Sequence, residues 1–284
     1  MKQTRLTRNY QLALGLVLLG ALYLTWQSNP GRLLQHMTGV VYDLLVVSDQ
    51  PENDSRVVIV DVDDQSLKQI GRWPWPRETL ASLIEQIQRQ NPAVIGLDFL
   101  LPEVGAGDPV LKRQLAAANV VTPITYGLSE ANSAGRPEVA SRIGLSPNLF
   151  TRDKTTLAHI TPNYDPDGSI RQLYPVICQR SCTHTLALQM LETLIGMKAQ
   201  TRAIDGAIPG TEICAGPYCL QQDESTAIWI PYQHWRNFRH IPAADLINGE
   251  DYPVLRGSMV LLGTSAVGLG DNVTTPLSPD TPGV

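Results

Sequence analysis

Between Arg8 and Arg32 lie 23 residues without a formal charge, and the middle of that run, from Leu12 to Leu24, is apolar on every side. A helix needs about 20 such residues to cross the hydrocarbon core of a bilayer, so the stretch predicts a transmembrane helix over residues 10–31. Tyr10 and Trp26 stand where interfacial aromatic anchors belong, and Lys2, Arg5 and Arg8 precede the span. Positive flanks stay on the cytoplasmic side of the inner membrane. Residues 1–9 are then a cytoplasmic tip, and residues 32–284 are periplasmic or extracellular. A cleaved signal peptide is the competing reading. Its small-x-small site is missing after the apolar run, where Thr25-Trp26-Gln27 is bulky.

The charge balance agrees with such an arrangement. The chain of 284 residues has a formal net charge of -5, and residues 1–31 hold none of its acidic groups. Residues 32–284 therefore form an acidic body behind a cationic tip, which excludes broad nucleic-acid binding. The hydrophobic content of 43% excludes a mainly disordered chain.

Four cysteines fall in two close pairs, Cys178 with Cys182 and Cys214 with Cys219. Two local disulfides are the simplest of the three pairings four cysteines allow, and an oxidising compartment permits them. Both spacings also suit half of a zinc site. The exported location favours the disulfides.

Residues 32–47 read as a helix, with Leu33, Leu34, Met37, Val40, Val41, Leu44 and Leu45 on one face. This face packs on the domain or on a second chain, so a homodimer through residues 33–45 is a further expectation. After a polar loop, Val57-Val58-Ile59-Val60-Asp61 reads as a strand covered on both faces. A helix follows Pro76, with Leu80, Leu83, Ile84 and Ile87 on one side, and Asn91-Pro92 ends it. Residues 93–98 form the next strand, completing a right-handed βαβ unit. A weaker unit has a helix around 109–118 and a strand over 120–124, and residues 128–155 read as loops with a short helix. Segments 157–161 and 169–177 flank Asp165-Pro166-Asp167-Gly168, a turn in which Pro fixes φ and Gly supplies positive φ, and an antiparallel hairpin is expected there. A helix over 185–198, short strands over 203–232, a helix over 241–247 and a strand over 258–263 complete the body. The fold class is α/β: three layers, a mainly parallel central sheet with an added antiparallel hairpin, preceded by one N-terminal transmembrane helix.

Several blocks recur together in this order: Val58–Leu67, Gly71-Arg72-Trp73-Pro74-Trp75-Pro76-Arg77, Val94–Phe99, Pro166-Asp167-Gly168 with Arg171, and Val260-Leu261-Leu262-Gly263-Thr264-Ser265-Ala266. As an ordered set they resemble the CHASE2 family, the extracytoplasmic sensory modules of bacterial signalling proteins. The resemblance covers about residues 35–284. It implies a sensor domain that binds an unknown small-molecule or protein signal and regulates a cytoplasmic output, such as a cyclase or kinase. In that family the output follows further membrane spans, and it is expected on chain beyond Val284.

Parallel sheets bind ligands outside the carboxyl ends of their strands. Asp61, Asp63, Asp98 and Asp271 all fall at or just past such ends, which suits a cation or an amine-bearing ligand. Arg77 and Arg171 offer guanidinium groups for a carboxylate or phosphate, and Trp75 with Trp73 offers an aromatic wall. These seven residues (Asp61, Asp63, Trp75, Arg77, Asp98, Arg171 and Asp271) are the ligand-binding candidates. Each has a structural alternative: Asp63 or Asp64 caps a short helix, Arg77 pairs with Asp98, and the tryptophans plug a corner of the core.

Other classes are weaker. Asp61 and Asp63 also resemble the first motif of haloacid-dehalogenase-type phosphatases, in which one Asp attacks phosphorus and the other serves as acid and base, with Mg²⁺ screening the phosphate. No convincing later lysine and no paired-acid motif at a strand end accompany them, since Asp271-Asn272 offers one carboxylate. A structural periplasmic interaction module is a third reading. His36, His159, His184, His234 and His240 show no metal-ligand spacing, no cofactor pattern is present, and Ser66 and Ser265 lack a recognisable His and Asp frame.

Overall fold

The computed structural model describes Gly20, Tyr23 and residues 30–48, 56–131, 137–151, 154–204, 210–269 and 272–283. Two compact units divide at Gln50. In the first, helix α1 (Pro30–Ser48) covers the helix read over 32–47. Met37, Val40, Val41, Leu44 and Leu45 on it are exposed. Apart from Gly20, Tyr23, Pro30 and Gly31, the predicted span over 10–31 lies outside the described residues. Among those described, no helix is long and apolar enough to cross a membrane.

The second unit is built on a sheet whose parallel strands lie in the order β13 (Arg239–Pro242), β1 (Val57–Val62), β14 (Met259–Thr264), β2 (Val94–Leu97), β3 (Val120–Ala131) and β5 (Thr156–His159). Both faces are apolar, as the continuous β-branched run of β1 requires. Val58, Val60 and Val62 turn toward one large core with Ile95, Leu97, Val260 and Leu262. Helices α2 (Asp64–Ile70), α3 (Arg77–Arg89), α4 (Asp108–Leu115) and α6 (Ala243–Ile247) close that core through Leu67, Leu80, Leu83, Ile84, Ile87, Leu111 and Leu246. On the opposite face, Val94, Val121 and Ala158 pack against Leu186 and Met190 of α5 (Leu186–Ile195). Gly96 makes this approach possible, because a Cβ there would collide with Met190 and crowd Leu186. The expected α/β class with a mainly parallel sheet therefore holds.

Several elements differ from the sequence reading. Residues 128–155, read as loops with a short helix, include instead the end of β3 and its antiparallel partner β4 (Pro137–Ile143). The alternating Val139 and Ile143 are too sparse among polar residues to announce a strand. Segment 157–161 does not form a hairpin arm, because β5 pairs in parallel with β3. The turn itself is present: Gly168 has φ 83° and its N–H donates to the Asp165 carbonyl at 2.8 Å. Only one antiparallel bridge, Tyr164 with Ile170, extends it. The segment read as a helix from Ile241 is first strand β13, and helix α6 starts at Ala243.

Both expected disulfides are present, Cys178–Cys182 with S–S 2.01 Å and Cys214–Cys219 with S–S 2.12 Å. The first closes the hairpin of β7 (Val176–Cys178) and β8 (Cys182–His184). The second ties β10 (Gly210–Ala215) to β11 (Tyr218–Gln222), beside β9 (Gln200–Ile204). The pairs stand on separate sheets, so the four sulfurs do not converge on one zinc. Glu212, Cys214 and Cys219 do cluster within 4.8 Å, but both sulfurs there are spent on each other.

Candidate functional site

Asp61 is the penultimate residue of β1 and is 5% exposed. A carboxylate at that depth requires partners, and the neighbouring strands supply them. Ser265, just past β14, donates its backbone N–H to Oδ1 at 3.0 Å and its hydroxyl to Oδ2 at 2.6 Å. His240 on β13 brings Nδ1 to 3.3 Å of Oδ2. His240 pairs across the ladder with Ile59, which shares a sheet face with Asp61. Donation to the Asp61 carboxylate favours the imidazolium, so the His240 pKa rises above its ordinary value despite partial burial. Its other nitrogen, Nε2, lies 3.1 Å from the Trp235 carbonyl, and the two rings meet edge to face at 5.2 Å.

Ser, His and Asp thus meet, but not as a hydrolytic triad. In a triad the imidazole stands between hydroxyl and carboxylate and takes the hydroxyl proton. Here the carboxylate stands in the middle, and Ser265 gives its hydroxyl to Asp61. Asp61 is a clip joining the carboxyl ends of three neighbouring strands. Ser66 extends the clip: its hydroxyl is fully buried and accepts the Ala244 N–H at 3.1 Å, tying α2 to α6.

Over this clip lies a cleft of about 440 Å³, within the range of small-molecule sites. Its floor is the start of α2 (Asp63, Asp64 and Gln65) together with Ser265. One wall is His234, Trp235 and Arg236, where the Arg236 guanidinium stacks over the Trp235 ring at 5.0 Å. The opposite wall, with Asn272, Ser278 and Asp280, belongs to the hairpin of β15 (Asn272–Thr275) and β16 (Ser278–Pro282). Asp63, Asp64 and Asp280 oppose the one guanidinium of Arg236. The cleft therefore suits a polar solute with a cationic group.

The seven candidates separate sharply. Asp63 reaches the cleft but also caps α2, accepting the Ser66 N–H at 2.7 Å. Asp61 stands behind the cleft. Asp98 is level with Gly263, since Leu97 pairs with Leu262 and Gly263 with Asp61. Strand β14 thus separates Asp98 from Asp61 by two strand spacings, about 10 Å. The carboxylates of Asp61, Asp63 and Asp98 do not gather into a cation site. Asp271 lies outside the described residues.

Trp75 is 2% exposed, gives its indole N–H to the Gly71 carbonyl at 2.9 Å and meets Trp73 edge to face, as Trp73 meets Phe99. It is a core plug with no face for a solute. Arg77 pairs with buried Asp108 at 3.1 Å, not with Asp98, and donates to the Glu103 carbonyl at 2.8 Å. Arg171 is buried and clamps the turn, meeting Asp165 at 2.7 Å and Asp167 at 2.9 Å. That contact holds the Asp167 carboxyl down to about 2.

The model of the CHASE2 domain family matches residues 13–284. The chain belongs to the CHASE2 family. No curated protein and no solved structure matches the chain. CHASE2 domains are extracytoplasmic sensory domains, so this chain is a sensor domain. The blocks that carry the resemblance have structural duties here: the Trp-Pro-Trp-Pro-Arg block plugs the large core and pins residues 103–108, and the Asp-Gly turn is braced by Arg171. The blocks that reach the cleft are Val58–Leu67, through Asp63, Asp64 and Gln65, and the one ending at Ala266, through Ser265. His234, Trp235, Arg236 and Asp280 carry no sequence signal, because the topology alone places their loops over β1 and β14.

The phosphatase alternative fits poorly. Its nucleophile must face phosphorus, whereas both oxygens of Asp61 are engaged by Ser265 and His240. Asp63 spends Oδ1 on its cap.

Proposed function

We propose that this CHASE2 domain is the extracytoplasmic receiver of a membrane-anchored receptor, and that it detects a small polar ligand with a cationic group. The observation that carries the reading is the cleft at the carboxyl ends of β1 and β14, which Asp63, Asp64 and Asp280 line together with the half-buried Trp235. An ammonium group gains there from both the carboxylates and the π face.

In this reading residues 10–31 are the anchor, residues 1–9 lie in the cytoplasm, and residues 32–284 face the periplasm or exterior. A reporter that works only outside the cytoplasm is active when fused after residue 48, and a cytoplasm-only reporter there is silent. The reverse pattern removes the anchor. The ligand shifts the domain between two arrangements by no more than its differential affinity for them, and the output is a cyclase or kinase on the cytoplasmic side. The exposed apolar face of α1 supports pairing of two copies through residues 33–45. Sedimentation of the full chain in detergent then gives a dimer, and a monomer at every concentration removes the pairing.

The ligand assignment is tested by isothermal titration of the full chain with spermidine and with arginine. Saturable binding that Asp64→Asn and Trp235→Ala each weaken supports it. Asp63→Asn keeps the helix cap, because Asn caps as well as Asp, and isolates the loss of charge. Equal heats for wild type and all three variants overturn it.

A further inference from the structure

A second cavity, of about 590 Å³, opens among β3, β4, the β7–β8 hairpin and the end of α5. Its chemistry is opposite to that of the cleft. Tyr126 on β3 and Arg142 on β4 face each other across the ladder, and both line it. The Tyr126 hydroxyl is joined to the Thr183 hydroxyl at 2.9 Å, which fastens the hairpin to the sheet. The Cys178–Cys182 disulfide closes the turn that bears Gln179, Arg180 and Ser181, and so holds Arg180 at the rim. Lys198 follows α5 on the remaining side.

Arg142, Arg180 and Lys198 are three permanent cations, and no carboxylate lines the cavity. Buried Glu192 contacts two of the lining residues from outside the cavity. Glu192 meets His184 at 2.9 Å and Lys198 at 3.7 Å, so its charge is already shared. Arg142 and Arg180 have no carboxylate partner among the described residues, although acidic groups outnumber basic ones in this chain. Gln189, 9% exposed, also lines the cavity and supplies a carboxamide donor to it.

We propose that this cavity binds a small multivalent oxyanion, a molecule bearing phosphate or carboxylate groups, clamped by Arg142, Arg180 and Lys198 and oriented by Gln189. Guanidinium forks match both groups bidentately, and a cavity of this size takes a whole small molecule. The site is independent of the cationic-ligand cleft, and either can fail without the other.

The test is isothermal titration of the full chain in nonionic detergent with sodium pyrophosphate and with trisodium citrate, at constant ionic strength. Saturable binding of at least one anion is expected. Arg142→Ala or Arg180→Ala weakens it by about tenfold or more, as befits loss of a charged hydrogen bond. Gln189→Leu also weakens it, and Asp63→Asn leaves it unchanged. The near-ultraviolet circular dichroism of the arginine variants stays that of the wild type. Absence of saturable binding with both anions overturns the proposal, as does equal affinity in a double arginine variant. Binding confined to phosphatidylglycerol vesicles overturns it too, because surface charge rather than the cavity then holds the anion.

Discussion

Ser265 gives its hydroxyl proton to Asp61 across 2.6 Å, and this one bond fastens the carboxyl end of β14 to that of β1. With the backbone N–H of Ser265 at 3.0 Å and His240 at 3.3 Å, the carboxylate has partners from both flanking strands. The floor of the cleft is held in place by this group rather than by direct contact with a solute.

Removing the hydroxyl tests that role. Ser265→Ala is expected to lower stability by about 1–2 kcal/mol, the cost of a lost hydrogen bond to a charged group. Asp61→Ala is expected to cost more, about 3 kcal/mol, because it strands the partners of a buried charge. Urea unfolding of both variants checks the order, and an unchanged midpoint for Asp61→Ala removes the clip.

Arg77 and the cleft make different demands. Arg77→Met leaves Asp108, whose side chain is 1% exposed, as an unpaired buried charge. A loss of about 3 kcal/mol is expected, with spermidine affinity unchanged when measured well below the unfolding midpoint. A variant of full stability and reduced affinity would return Arg77 to the list of ligand contacts.

His159 sets an acid limit. Burial, aided by the charge of nearby His184, lowers its pKa from 6.5 to about 4. Its folded value lies below its unfolded one, so the unfolded chain takes up the proton first as pH falls. Stability is therefore lost between pH 6.5 and about 4, by about 3 kcal/mol from this group. Denaturant midpoints across that range measure it, and His159→Gln is expected to flatten the curve. A wild-type midpoint constant over the same range contradicts it.

Each disulfide closes a short loop, with sequence separations of 4 and 5. Constraining so few residues in the unfolded chain stabilises by only about 2 kcal/mol each. Peptide mapping of the unreduced protein is expected to yield Cys178 linked to Cys182 and Cys214 linked to Cys219. Reduction is expected to lower the midpoint without unfolding the sheet, and global unfolding on reduction alone would overturn that estimate.

The central strands were legible because burial on two faces demands a continuous apolar run, as in Val57–Val60 and Val94–Leu97. Helix α3 was legible from its one-sided apolar spacing. The turn at Asp165–Gly168 was legible because Pro and Gly there have specific backbone effects. β4 escaped notice because one exposed face and a polar sequence hide its alternation. β13 escaped because Ile241 also continues the apolar spacing of α6. The site was harder for a different reason. Strand ends identified Asp61 and Asp63, but the insertion of β14 that separates Asp98 from them is a matter of long-range topology. Arg77 and Arg171 had the right chemistry for ligands, yet Asp108 engaged the first, and Asp165 and Asp167 the second. Arg142, Arg180 and Lys198 are ordinary surface residues in sequence and become a group only where β4, the β7–β8 turn and α5 converge.

The place of β14 bears on how the polypeptide reaches its native state. Residues 259–264 pair with both β1 and β2, so during synthesis the facing borders of those early strands wait for a segment that emerges long after them. Until then the nascent chain keeps two open hydrogen-bonding borders and remains loose enough to be threaded. Insertion of β14 also delivers Ser265 to Asp61, so the framework and the floor of the cleft mature together.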